Sequence, residues 1–307
     1  MRLPRILSAL GITTAAGAAL AWWGNRELTN FHIYEYGLPL AAPGTLNGSE
    51  FRILHISDLH MLPGQWEKTA FVQSLADFDP DLVVNTGDNL GDAAAVPDVL
   101  TALDPLLHLP GVFVFGSNDY FAPRPVNPFI YLVGKKRKVS REELPWRSMR
   151  SAFIERGWMD ATHRRIEEDI NGFRLLISGV DDPHHDLDDV SLIAGTRNPA
   201  TEFAIGLSHS PEPRVLRHFA KEGYDLSLHG HTHGGQLCLP GGRAIVTNCG
   251  IDRKRASGVH LFDNLVMHTT NGLGTSKYVP FRIFCAPSAA LIRICEPDTE
   301  LEPLPNF

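Results

Sequence analysis

From residue 51 the chain repeats one local plan three times, and that repetition limits its fold more than any other feature. Runs rich in Val, Ile, Leu and Phe at 51–56, 81–86 and 111–115 end in short polar loops: Ser57-Asp58-Leu59-His60, Gly87-Asp88 and Gly116-Ser117-Asn118-Asp119. Between them, the patterns over 67–78 and 96–107 predict helices. Strand, loop and helix in series demand a largely parallel sheet, because parallel strands need a long crossover. In such sheets chemistry gathers on loops at the strand ends. Further strands expected at 173–178, 202–207, 225–228, 265–270 and 290–294 make the second half strand-rich. Two sheets packed face to face would accommodate both halves.

Three stretches fall outside this plan. Residues 121–150 form an insert with several prolines, an apolar patch at 129–133 and the basic run Lys135-Lys136-Arg137-Lys138. Residues 24–50 read as a polar connector punctuated by Pro and Gly, and 296–307 as a loosely held tail. At the start, Arg2 and Arg5 precede a charge-free apolar stretch, 6–23, long enough to cross a bilayer once. Segment 1–23 is therefore expected to be a membrane anchor, with the body of the chain extracytoplasmic at the cell membrane and Trp22-Trp23 at the interface. Ala19-Leu20-Ala21 keeps open a cleaved signal and a secreted product. A buried N-terminal helix is a third reading.

Bulk properties narrow the class. In 307 residues, 43% hydrophobic and 21% charged content describe a globular chain, not a disordered or multi-span one. A formal charge of -7 argues against a nucleic-acid binder working by general electrostatics. Cys238, Cys249, Cys285 and Cys295 show no C-x-x-C pairing and read as small buried side chains, with a disulfide open to an exported domain.

The densest chemistry is His229-Gly230-His231-Thr232-His233, directly after the strand expected at 225–228. Alone, it is either a solvated histidine tract or a metal binder. The other strand ends weigh against the first option: they carry Asp58 and His60, Asp88, Asn118 and His209. Each has a bland local explanation, as a helix cap or turn residue. Those explanations do not account for an oxygen or imidazole ligand at every strand end. Mixed carboxylate, amide and imidazole ligands suit two borderline divalent ions sharing a bridging carboxylate.

The ordered set Asp58-x-His60, Gly87-Asp88, Gly116-Ser117-Asn118-Asp119, His209 and Gly230-His231-Thr232-His233 resembles the calcineurin-like metallophosphoesterases. Thr232-His233-Gly234-Gly235-Gln236 is similar to their bacterial membrane-associated branch. The resemblance covers 51–295. It implies an α/β fold, a four-layer αββα sandwich with two mixed β-sheets, and two divalent metal ions (Mn, Fe or Zn). It further implies Asp58, His60 and His233 on one ion, His209, His231 and an asparagine on the other, and Asp88 between them.

One loop departs from the family's Gly-Asn-His-Asp/Glu. Strict alignment sets Ser117 at the metal-binding asparagine and Asn118 at the histidine that assists the leaving group. A small loop shift would make Asn118 the ligand, the option favoured here because an amide oxygen is the better neutral ligand. Either way the imidazole is absent, which tilts the substrate toward good leaving groups such as a phosphate released from pyrophosphate. Asp92, displaced by one from the usual acidic position, is assigned no ligand role, His229 a supporting one, and His184-His185 a solvated loop.

The expected function is hydrolysis of a phosphodiester, phosphomonoester or pyrophosphate bond by a dimetal-bound hydroxide, with Asp88 and Asn118 at the reacting centre. The N-terminal segment and the insert, read as a lid or else a solvated basic loop, point to a phosphorylated, lipid-linked or membrane-proximal substrate. The alternative is a weak or inactive metal-binding scaffold of the same fold. A different metallohydrolase is disfavoured, since the chain has no H-E-x-x-H.

Overall fold

The computed structural model describes residues 22–125 and 142–301. Its elements run β1 (His32–Leu38), β2 (Phe51–Ile56), α1 (Trp66–Ser74), β3 (Leu82–Asn85), α2 (Val96–Leu103), β4 (Gly111–Phe113) and α3 (Ser117–Tyr120). Then come α4 (Trp146–Glu155), β5 (Met159–Asp160), β6 (Arg164–Ile170), β7 (Phe173–Gly179), β8 (Phe203–Leu207), α5 (Pro213–Lys221) and β9 (Leu226–His229). The last part holds β10 (Cys238–Leu239), β11 (Arg243–Ala244), β12 (Gly258–Phe262), β13 (Leu265–Thr269) and β14 (Ser288–Ile294).

Two six-stranded mixed sheets result, ordered β1-β14-β2-β3-β4-β5 and β12-β13-β9-β8-β7-β6. In the first, β2, β3, β4 and β5 are parallel, and β14 returns antiparallel to β2. In the second, β7, β8, β9 and β13 are parallel, flanked by antiparallel β6 and β12. Side-chain alternation along buried strands builds the layers. Ile53, Val84 and Val112 face Leu175, Ile205 and Leu228 in the core between the sheets. Their neighbours Leu54, Val83 and Phe113 pack outward on Val72, Val99 and Phe153 of the helices. Across the molecule, Leu176 and Ala204 meet Val215, Leu216 and Phe219 of α5. The four-layer αββα sandwich follows from these three apolar seams.

The eight expected strands are present, with ends shifted by a few residues. Expected helix 67–78 turns into a tighter 3-10 segment at Leu75–Phe78, and 96–107 breaks after Leu103 before a second such turn. The connector holds a surprise: β1 pairs in parallel with β14, from His32 opposite Ser288 to Leu38 opposite Ile294. Its exposed, alternating polar side chains hid an edge strand. The tail is partly tied down, since Glu296 accepts a hydrogen bond from Leu46 N at 2.8 Å.

The transmembrane helix expected at 6–23 is not borne out: no helix among the described residues is long and apolar enough to cross a membrane. Residues 1–21 lie outside the described set. At the described end of the stretch, Trp22 and Trp23 are exposed, and the Trp23 ring packs edge-on against Phe284 at 4.8 Å. The apolar patch and basic run of the insert also lie outside the described residues. Neither basis for a lipid-linked substrate thus has a counterpart among them. All four cysteines are free thiols.

Candidate metal centre

Six strand ends meet at one edge of the sandwich, and their loops interlock through the backbone. Asp58 N donates to Gly87 O at 2.8 Å, His60 N to Asp88 O at 2.9 Å, and Gly230 N to His209 O at 2.9 Å. Five of the seven candidate residues adopt left-handed backbone: Asp58, His60, Asp88, His231 and His233, with φ between 40° and 69°. Non-glycine residues rarely do so, at a cost of about 1 kcal/mol or more each, and such strain collects at functional sites. Glycines allow the close approach. A Cβ at Gly116 would overlap Asp88 Oδ1 and the His209 ring; one at Gly230 would overlap Ser57 Oγ and Asp58 Oδ2.

Two groups of side chains converge. In one, Asp58 Oδ1 lies 3.8 Å from His60 Nε2 and 3.5 Å from His233 Nε2, and the two nitrogens are 3.2 Å apart. In the other, His209 Nε2 lies 3.3 Å from Asp88 Oδ2 and 3.8 Å from Asp58 Oδ1. Asp88 Oδ2 is also 3.6 Å from His60 Nε2, so both carboxylates face both groups. Donors around an ion at roughly 2.1 Å stand about 3.0–3.4 Å apart, close to these spacings.

Asn118, at the start of α3, donates from Nδ2 to Asp88 Oδ2 at 2.6 Å and from its backbone N to Asp88 Oδ1 at 2.7 Å. The Asn118 amide, rather than Ser117, is therefore the side chain drawn to the carboxylates. His231 stands outside the two groups. Its Nε2 lies 3.3 Å from Asn248 O and its ring centroid 5.3 Å from that of His209.

The imidazoles share a polarity. His209 Nδ1 rests on Thr86 O at 2.8 Å and His233 Nδ1 on Gly274 O at 3.0 Å. A carbonyl only accepts, so those nitrogens carry the protons, and in the neutral ring that ligates a metal each Nε2 would have its lone pair toward the carboxylates. His209 Nε2, fully buried, has no aligned hydrogen-bond partner.

Electrostatics point the same way. Burial disfavours charge on Asp58, but the His233 and His209 imidazoles outweigh it and hold the carboxyl below its usual range. Asp88 is likewise held well below that range, chiefly by His209, against the same burial penalty. Burial pushes His233 down to about 3 and keeps His231 neutral. Burial also opposes charge on His209, yet the Asp88 and Asp58 carboxylates raise it well above an ordinary imidazole. Two buried carboxylates facing one charged imidazole leave net negative charge, which a divalent cation would neutralise. Two overlapping groups, Asp58–His60–His233 and Asp58–Asp88–His209, each bring three donor atoms close enough to hold such an ion.

Other sequence expectations sort cleanly. His229 supports the strand, bonded to Ser208 Oγ at 2.9 Å and Ser227 Oγ at 2.8 Å. Asp92 caps the turn at Ala93–Ala95 and pairs with Lys277 Nζ at 3.0 Å, away from the centre. His184 differs from its expected solvated place: its ring lies 4.3 Å from His231. Asp119, quoted in the motif without a role, is fully buried. It accepts from Asp88 N at 2.7 Å, Asn89 N at 2.8 Å and Gly116 N at 2.9 Å, tying two ligand loops together. Burial and the nearby Asp88 push its carboxyl up to about 6 against those donors. Its place directly after Asn118 was the one available signal.

A family model for calcineurin-like phosphoesterase matches residues 51–235. Phosphodiesterase YaeI of Escherichia coli (strain K12) is 27% identical over 307 residues, spanning 94% of this chain and 98% of its own. YpbG of Bacillus subtilis (strain 168), named as an uncharacterized protein, is 25% identical over 292 residues, spanning 94% and 97%. An uncharacterized metallophosphoesterase of Aquifex aeolicus (strain VF5) is 26% identical over 266 residues, spanning 80% and 86%. By that family match the chain belongs to the calcineurin-like phosphoesterases.

Proposed function

We propose that the chain is a dinuclear metal-dependent phosphoric ester hydrolase that favours diesters or pyrophosphate-type bonds with good leaving groups. The observation that carries this reading is the shared polarity of His209 and His233: the far nitrogen of each is bound to a carbonyl and the near one turned toward buried carboxylates. Asp58, His60 and His233 would hold one ion. Asp88, Asn118, His209 and His231 would hold the other, with Asp88 Oδ2 facing both groups. Since Nε2 of His231 points at the Asn248 carbonyl, its Nδ1 is the nitrogen left to ligate. Asn118 would turn its amide oxygen inward in exchange for its present bond to Asp88.

When bound, two divalent ions supply a nucleophile at neutral pH and screen the charge that builds on phosphoryl oxygens. The protein's share is orientation. Asp119 fixes the loops of Asp88 and Asn118, and the carbonyls of Thr86 and Gly274 fix the rings of His209 and His233. At positions 117 and 118 stand a hydroxyl and an amide, neither of which moves a proton near neutral pH. An alkoxide would thus leave with little help from this loop, whereas a phosphate or nitrophenolate needs none. The name phosphodiesterase carried by the E. coli relative supports the diester reading.

The test is a manganese-supplemented assay on bis-p-nitrophenyl phosphate, p-nitrophenyl phosphate and a dinucleoside pyrophosphate, with Asp88→Ala and chelator controls. Metal-dependent turnover that both controls remove is expected. No turnover on any of the three would leave the metal-binding scaffold as the better account.

A further inference from the structure

Behind His233 lies an arginine that the family match does not reach. Arg282 is fully buried, at 1% exposure, and no carboxylate hydrogen-bonds to it among the described residues, the acidic groups that favour its charge being the Cys285 thiol, whose Sγ lies 3.9 Å from Nη1, and the more distant Asp58. A buried guanidinium without a counter-ion is costly and calls for a specific compensation. Here the compensation is a set of backbone carbonyls. The two protons of Nη2 are shared among Asn271 O at 2.8 Å, Gly272 O at 3.0 Å and Gly274 O at 2.7 Å. Nη1 reaches Cys285 O at 3.3 Å and His233 O at 3.4 Å.

These acceptors form the rear wall of one half of the centre. Gly274 O is also the acceptor for His233 Nδ1, and Gly274 packs on the Leu59 carbonyl between Asp58 and His60. Gly272 lies against Asp58 so closely that a Cβ would overlap the Asp58 Cβ. Arg282 Nη2 also lies 3.3 Å from His233 Nδ1, but that nitrogen carries a proton when Nε2 ligates, so the shared Gly274 carbonyl is the link.

Resting on the dinuclear reading above, we propose that Arg282 is a positioning residue for the Asp58–His60–His233 metal site. It clamps the 271–274 loop so that Gly274 O holds the His233 ring in its ligating tautomer and orientation. The planar fork is required, because one ammonium cannot span acceptors set on both sides of the guanidinium. Arg282 touches neither metal nor substrate; it acts through His233.

Cobalt(II) titration of the metal-free protein, read by visible absorption and calorimetry, tests this. The unmutated protein should bind two equivalents; binding of fewer would sink the dinuclear reading and not this one. Arg282→Lys should bind one equivalent as before and the other at least tenfold more weakly, with an altered spectrum. Two equivalents bound with unchanged affinity and spectrum would overturn the proposal. A double-mutant cycle separates positioning from general support: on a His233→Asn background, Arg282→Lys should cost nothing further at that site, whereas additive losses would refute action through His233. If Arg282→Lys does not fold, the unmutated protein still decides. Its Arg282 Nη resonances should shift on zinc binding, and that shift should vanish in His233→Asn; no shift in either counts against the idea.

Discussion

The two halves of the centre are braced by groups of opposite sign. Behind Asp58, His60 and His233 stand buried donors that grip carbonyls: the Arg282 guanidinium on the 271–274 loop, and the Lys68 amine, pushed down to about 7 by burial, on Leu59 O at 2.6 Å. Behind Asp88 and Asn118 stands a buried carboxylate, Asp119, that grips backbone N–H groups. The difference follows from what each loop turns inward. Loops that aim their carbonyls backward need donors, and loops that aim their N–H groups backward need an acceptor. A ligand set with one overall charge is thus held by two unlike scaffolds, which should fail differently.

The hardest blow to the comparison falls on Asp88, one of the two carboxylates that face both halves. Asp88→Ala should lower kcat/KM on bis-p-nitrophenyl phosphate by about a thousandfold or more. A loss under tenfold would mean that the halves do not work as a pair. Acid comes next. Asp58 and Asp88 are held below their usual range in the fold, so the stability they contribute is present above about pH 4 and lost as pH falls. His209 is raised, so its contribution is present below about pH 6.5 and lost as pH climbs past its folded value. The metal-free protein should therefore melt highest between those limits and lose about 1.4 kcal/mol per pH unit for each carboxylate on the acid side. Chemical denaturation from pH 3 to 8 reads this; a flat profile would contradict the charge assignment.

Asp119→Asn sharpens the contrast between the braces. Its amide turns one acceptor into a donor facing backbone N–H groups, at a cost of about 2 kcal/mol. Activity should drop roughly 10- to 100-fold through the Asp88 side, while metal titration retains the Asp58–His60–His233 site. Loss of both sites together would erase the distinction. The smallest effect separates Ser117 from Asn118. Asn118→Ala should cost about tenfold in kcat/KM, and Ser117→Ala less than about threefold, since only the Asn118 amide bonds to Asp88. Equal losses would reopen the alignment of that loop.

Legibility also divides along this line. Every candidate ligand announces itself at a strand end, because strands declare themselves by short apolar runs and loops by the residues that stop them. The bracing groups do not. Lys68 sits on a helix as any surface lysine would, and Arg282 lies in an irregular segment 49 residues beyond His233. Edge strand β1 was missed for a related reason: its side chains alternate like a solvated connector, and only pairing with β14 makes it a strand.

Local pattern by itself determined the α/β class, the strand ends that carry ligands and the absence of an imidazole at 117–118, because each depends on residues close together in the chain. Tertiary structure alone decided that Asn118 rather than Ser117 meets Asp88, that His231 stands apart from the other ligands, and that Arg282 backs His233. Those outcomes depend on which nitrogen finds a carbonyl across a sheet edge. That is settled by loops brought together in space, 30 residues apart for Asn118 and Asp88 and 49 for Arg282 and His233, and no local spacing encodes it.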